Sequence, residues 1–231
     1  MKYLSVKTIK VALQRVVDGN STMEHRTGTP ANSLVHNYFP LHKYTCTPEQ
    51  TQELSGKRPD LTIERLDSND NLVLHAFVEL KSIARSNFND ILDQLYDTVL
   101  ASVDHAGGDF SVYIIAMKGI HVAFFQFYSC IPLLDQYGIV HYKGFIPLNQ
   151  LIPAYQFMDI NGTDNLIDYL KYLKKYPILT NADKLTGLGV KSTEKIPFPH
   201  IWDLLNKDHE NHVHELFLHM ANNLPGTDIK D

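Results

Sequence analysis

The stretch RPDLTIERLDSNDNLVLHAFVELKS, residues 58–82, decides how this chain is read. Residues 61–66 carry aliphatic and β-branched side chains in near-alternation and predict a strand. Asp67-Ser68-Asn69-Asp70-Asn71 is dense in turn-forming residues. Residues 72–81 then predict the returning strand of a hairpin. Side chains alternate along a strand, so Glu79 and Lys81 share one face while Val78 and Leu80 share the other. Asp60 stands at the mouth of the first strand, beside the end of the second. Asp60, Glu79 and Lys81 are therefore expected together at one end of a sheet.

The run Phe77-Val78-Glu79-Leu80 is apolar enough to be buried on both sides. A carboxylate is seldom buried without a cation, a hydrogen-bond donor or a metal. Hard divalent cations take carboxylate oxygens and keep several waters. Such an ion would acidify a bound water and offset charge building on a phosphate, and Lys81 would add to the second effect. The same residues also fit an edge hairpin whose Glu79 and Lys81 form a surface ion pair of little energetic worth. Burial separates the two arrangements.

Pro59-Asp60 followed by Glu79-Leu80-Lys81 resembles the PD-(D/E)xK nuclease superfamily, which has the restriction-endonuclease-like fold. The resemblance covers roughly residues 22–128, with its motifs confined to 59–94. It implies an α/β protein with a mixed central sheet flanked by helices, and a metal-dependent nuclease hydrolysing phosphodiester bonds of DNA or RNA. It further implies Mg²⁺ or Mn²⁺ held by Asp60 and Glu79, the Leu80 carbonyl as an additional ligand, and Lys81 orienting the attacking water. Families of this fold often carry an acidic residue on the helix before the core strands, and Glu24 is the position here. Some branches support the site with a glutamine and a tyrosine spaced QxxxY; this chain has Gln94-Leu95-Tyr96, which leaves Gln94 as a supporting residue. The superfamily also contains members without turnover. A nuclease-like fold serving as a nucleic-acid or protein binding module is thus the alternative, and an unrelated α/β interaction protein is a third reading.

Across 231 residues, 44% hydrophobic and 10% aromatic content suffices for a sizeable core and excludes wholesale disorder. A net charge of −5 argues against a surface that coats nucleic acid broadly. A nuclease needs only local cations, and Lys57-Arg58, Lys81 with Arg85, and Lys171, Lys174 and Lys175 are the candidates. Cys46 and Cys130 lack CxxC spacing, so neither a disulfide framework nor a zinc cluster is indicated. No apolar run approaches the roughly 20 residues that span a bilayer, and the start lacks a secretory pattern. An intracellular protein without a membrane partner is expected.

Outward from the hairpin, helices are expected over residues 3–17 and from about residue 22, the latter broken early by Gly28 and Pro30. A short strand follows at 43–47. Ser86 or Asn87 caps a further helix whose buried face carries Phe88, Ile91, Leu92, Leu95, Val99 and Val103. Strands are expected at 111–117 and 122–128 around a turn at Lys118-Gly119-Ile120, then weakly at 140–142 and 145–146. Helices are expected at 165–175 and from about Pro199, through Ile201, Trp202, Leu204 and Leu205. The organisation is a nuclease-like core over 1–135 with a mainly helical C-terminal elaboration over 136–231, or one domain throughout. His214-Glu215 and His219 make HExxxH rather than HExxH, and histidines five apart lie about 140° around a helix from each other. With His209 and His212 they are expected to form an exposed polar helix face. No GxxxxGK[ST] or GxGxxG stands at a strand–helix junction, and no GxSxG occurs.

Overall fold

The computed structural model describes residues 1–19, 25–48, 59–83, 91, 94–95, 97–99, 111–135, 138–148 and 201–225. A short 3₁₀ turn, Tyr3–Ser5, precedes α1 (Lys7–Asp18) and α2 (His25–Tyr38). Strands β1 (Tyr44–Pro48), β2 (Leu61–Leu66) and β3 (Leu72–Lys81) follow. Ile91, Gln94, Leu95, Asp97, Thr98 and Val99 are helical. Then come β4 (Ser111–Lys118), β5 (His121–Asp135), β6 (Gly138–Pro147), β7 (Trp202–Asp203) and α3 (Lys207–Asn222).

The described strands form one seven-stranded mixed sheet flanked by helices, in the order β1-β2-β3-β4-β5-β6, with β7 added on β5. Every pairing is antiparallel except β3 with β4. A parallel pair cannot be joined by a tight turn, so the chain must cross over between them. The helical residues between β3 and β4 lie on that crossover. Its consequence is positional: the last residues of β3 and β4 finish at the same end of the sheet, with Glu79 opposite Ala116, Leu80 opposite Met117 and Lys81 opposite Lys118.

The hairpin tip is built by Asp67, whose Oδ1 accepts the N–H groups of Asn69 at 2.8 Å and Asn71 at 2.9 Å. Asp70 sits at φ +61°, a left-handed conformation that a short polar side chain tolerates. Farther along, Ile63 pairs with Ala76 but Glu64 pairs with Leu74, a bulge that leaves His75 without a ladder partner. His75 is turned beneath α3, its Nε2 2.8 Å from the Met220 carbonyl.

Residues paired across a ladder point to the same face. Phe77, Ile114 and Phe125 share one face, with Glu79, Ala116 and Ala123 one step along. Val78, Ile115 and Phe124 share the other. Phe217 of α3 packs edge-on against Phe124 at 4.8 Å and stacks on Tyr38 of α2 at 4.5 Å. Tyr44 Oη donates to the Ala221 carbonyl at 2.6 Å. Burying a side chain such as Phe217 stabilises by about 1.5–3 kcal/mol, so α3 is held chiefly by its apolar stripe. Ile91, Leu95 and Val99 belong to the same core and are fully buried.

Several expectations are corrected. Residues 201–205 are not helical: Trp202 pairs with Val122 and Asp203 with His121, and the Leu204 N–H donates to the Ile120 carbonyl at 2.9 Å. The helix starts only at Lys207, where the Asn206 side chain accepts the Asp208 N–H at 2.9 Å. Apolar spacing there was compatible with a helix, and pairing with β5 overrides it. The two weak strands at 140–142 and 145–146 are one strand, and β5 runs on to Asp135 through a register shift after Tyr128. Gly28 and Pro30 lie within α2 rather than breaking it. The helix expected at 165–175 lies outside the described residues. Among the described residues no helix is long and apolar enough to cross a membrane.

The histidines of α3 are likewise not one exposed face. His214 Nδ1 lies 2.8 Å from Tyr38 Oη, His209 Nδ1 accepts the Asp203 N–H at 3.0 Å, and His219 packs against Tyr113. Only His212 of these four is exposed, and its ring stacks on Trp202 at 5.0 Å.

Candidate functional site

β3 outruns β2: their last pair is Leu61 with Val78, so Glu79, Leu80 and Lys81 extend past the partner strand. The Leu80 N–H that would be left open there donates to Asp60 Oδ2 at 2.6 Å. Asp60 is half-buried and follows a buried Pro59. Glu79 is completely buried, and its Oε1 receives Lys81 Nζ at 2.5 Å. Alternation along the strand puts these two side chains on one face, and the hairpin adds Asp60. The structure thus brings Asp60, Glu79 and Lys81 together.

Among the described residues nothing donates to Glu79 Oε2, although that oxygen is buried. Burial, reinforced by the nearby Asp60 charge, pushes the Glu79 carboxyl up to about 7, while the hydrogen bond and charge of Lys81 and the backbone N–H of Asp60 pull the other way. In register with Glu79 stand Ala116 and Ala123, so the neighbouring strands place only methyl groups beside the carboxylate.

The backbone at the site is clamped from two sides. The Lys81 carbonyl accepts Thr27 Oγ1 of α2 at 3.2 Å and the Gly119 N–H at 3.0 Å. Gly119 has φ +61°, and a Cβ placed on it would lie 2.8 Å from Ile83 Cβ. Only glycine fits that turn.

Of the other expected residues, Gln94 is helical and half-buried on the crossover, and its carbonyl accepts Thr98 Oγ1 at 3.0 Å. Leu80 enters the site through its N–H, with its side chain buried against the α2 side near Gly28. Glu24 lies outside the described residues, as do Lys57, Arg58, Arg85, Lys171, Lys174 and Lys175. Among the described residues no three of His, Cys, Asp and Glu come together. Asp60 and Glu79 still suit a hard divalent cation: both offer carboxylate oxygens, one of them buried without a donor among the described residues, and Mg²⁺ or Mn²⁺ would complete its shell with water. Sequence reading missed Thr27, Lys118 and His121. Lys118 stands in the sequence as a turn residue, and only the strand register sets it beside Lys81.

Comparison of the chain with protein-family models, with curated proteins and with solved structures finds no match.

Proposed function

We propose that the end of β3 is the metal site of a nuclease that hydrolyses phosphodiester bonds in nucleic acid, on a sheet of restriction-endonuclease-like design. The observation that supports this reading is the fully buried Glu79, with one oxygen on Lys81, the other without a donor among the described residues, and Asp60 close enough to raise its pKa. A buried acceptor without a partner costs about 1–3 kcal/mol, and such groups call for a ligand, an ion or a catalytic use. Asp60 and Glu79 would hold Mg²⁺ or Mn²⁺, with the Leu80 carbonyl and Glu24 as further ligands. The bound ion supplies an acidified water and neutralises charge on the phosphate.

The chain's own residues have separate tasks. Glu79, its carboxyl pushed up to about 7 by burial, would give up its proton in holding a divalent cation. Lys81 Nζ donates to Glu79, and its positive charge would stabilise charge building on a phosphate at this end of the sheet. Asp60 is oriented by the Leu80 N–H, so its carboxylate is fixed before any ligand binds. Gln94 is the supporting residue from the crossover.

The test is cleavage of labelled single- and double-stranded DNA and RNA with Mn²⁺, comparing the protein with Lys81→Ala. Cleavage that requires both metal and Lys81 supports the reading; cleavage indifferent to either, or none at all, overturns it.

One observation favours a binding module without turnover. Each carboxylate already has a protein donor, Asp60 from Leu80 and Glu79 from Lys81, so the site is partly satisfied by the protein itself. Such a module shows no Mg²⁺- or Mn²⁺-linked rise in melting temperature.

A further inference from the structure

The strand register assembles a row that the linear sequence conceals. Lys81 pairs with Lys118 across β3 and β4, Lys118 pairs with His121 across β4 and β5, and His121 pairs with Asp203 across β5 and β7. Paired residues share a face, so Lys81, Lys118 and His121 stand side by side on the face that carries Glu79, one step nearer the sheet's end. Lys118 and His121 are both half-buried. Unlike that of Lys81, neither side chain has a hydrogen-bond or ion-pair partner among the described residues. Adjacent strands are about 4.8 Å apart, so the row from Lys81 to His121 spans roughly 10 Å between Cα atoms. That is about the rise of three stacked nucleotides at ~3.4 Å each.

We infer that Lys118 and His121 continue from Lys81 as a track for the phosphate backbone of a nucleic-acid strand, which crosses β3, β4 and β5 at right angles as it leaves the Asp60–Glu79 site. This inference rests on the nuclease reading of that site. The chain carries a net charge of −5, so backbone attraction must come from a local concentration of cations. The track stops at β7, where the Asp203 carboxylate holds the Leu205 N–H at 2.8 Å and repels a further phosphate. Lys118 acts as a positioning residue, and His121 offers a ring N–H to a phosphate oxygen. Contacts of this kind carry no base information, so the track binds strands irrespective of sequence.

The experiment is fluorescence anisotropy of a labelled single-stranded DNA and the RNA of the same sequence, with EDTA, over a series of KCl concentrations. The protein is compared with Lys118→Ala, Lys118→Arg, His121→Ala and the distant surface control Lys10→Ala, each first checked for an unchanged melting temperature. Removing one phosphate contact lowers the slope of log affinity against log salt by about 0.7 for a single strand. Lys118→Ala is expected to show that loss and a several-fold weaker affinity, and His121→Ala a smaller one. Lys118→Arg keeps the slope, and Lys10→Ala changes nothing. Unchanged slopes in Lys118→Ala and His121→Ala overturn the track even if Mn²⁺-dependent cleavage persists, which leaves the nuclease reading standing. Slopes that fall as expected in a protein that never cleaves uphold the track and remove turnover. Absence of binding by the unaltered protein overturns the track outright.

Discussion

The Asp60 carboxylate takes the place of a ladder carbonyl for Leu80: its Oδ2 accepts the Leu80 N–H at 2.6 Å where β2 has already ended. A single side chain thereby closes the sheet edge and puts a negative charge beside the buried Glu79. The two roles are separable. Asp60→Asn keeps an oxygen for the N–H and loses the charge, so it should cost little stability and should lower the Glu79 pKa. Asp60→Ala leaves the N–H without its acceptor and should cost about 1–3 kcal/mol in urea unfolding. Both should abolish a Mn²⁺-linked rise in melting temperature. Equal stability losses in the two variants would show that the hydrogen bond is not what holds this end of the sheet.

Glu79 and His75 drive stability in opposite directions with pH. The Glu79 carboxyl is raised from 4.5 to about 7, mainly by burial, so the folded protein binds more protons than the unfolded chain in that window. Its contribution is fully present below pH 4.5 and is lost as pH rises through about 7. His75 is lowered from 6.5 to about 4, again mainly by burial, so its contribution is present above pH 6.5 and is lost as pH falls through about 4. Each effect is worth about 3 kcal/mol, and between pH 4.5 and 6.5 they oppose each other. Relative to the unaltered protein, Glu79→Gln should gain stability as pH rises from 4.5 to 7. His75→Leu should gain as pH falls from 6.5 to 4, on top of a constant loss of about 1–2 kcal/mol from the unpartnered Met220 carbonyl. Denaturant midpoints across pH 4–8, without metal, measure both; parallel curves for all three proteins would refute the assignment.

Among the described residues Lys81 is the side chain that donates to Glu79, and it is 21% exposed. Lys81→Met keeps most of the stem and removes the charge. The Glu79 carboxyl should then move further up, and stability at pH 8 should fall by about 1–3 kcal/mol relative to pH 5. On the nuclease reading, Mn²⁺-dependent cleavage should fall by about 10²–10⁴-fold, as loss of a proton-handling or charge-stabilising group does. Cleavage reduced less than tenfold would remove Lys81 from the chemistry.

Gly119 ties the β4–β5 turn to the site through its N–H on the Lys81 carbonyl, at φ +61°. Gly119→Ala should destabilise by about 2–4 kcal/mol, combining left-handed strain with overpacking. Ile83→Ala should not rescue it, because the closest contact is to Ile83 Cβ at 2.8 Å, an atom alanine retains. Thermal melting of the double variant decides this; full rescue would place the clash farther out along Ile83.

Much of this was legible in the residues. The Asp67–Asn71 turn and the strands around it follow from turn chemistry and alternation, and those two rules also put Glu79 and Lys81 on one face with Asp60 nearby. The stretch around Trp202 was misread because Ile201, Trp202, Leu204 and Leu205 satisfy a helical spacing, and two residues are enough to pair with β5. The bulge at His75 was invisible for a related reason: inserting one residue in a ladder leaves no mark in local composition. Lys118 and His121 read as the flanks of an ordinary turn, since nothing local says which distant strand they will stand beside.

The sequence by itself determined that three charged groups meet at a strand end, because alternation and turn formation are local properties of the chain. Only the tertiary structure decided that β3 and β4 run parallel, that Glu79 is sealed with one oxygen unpartnered among the described residues, and that Lys81, Lys118 and His121 form one row. Those outcomes depend on which strands become neighbours and in what register, and that choice is made by burial of the whole sheet between its helices, which no single segment encodes.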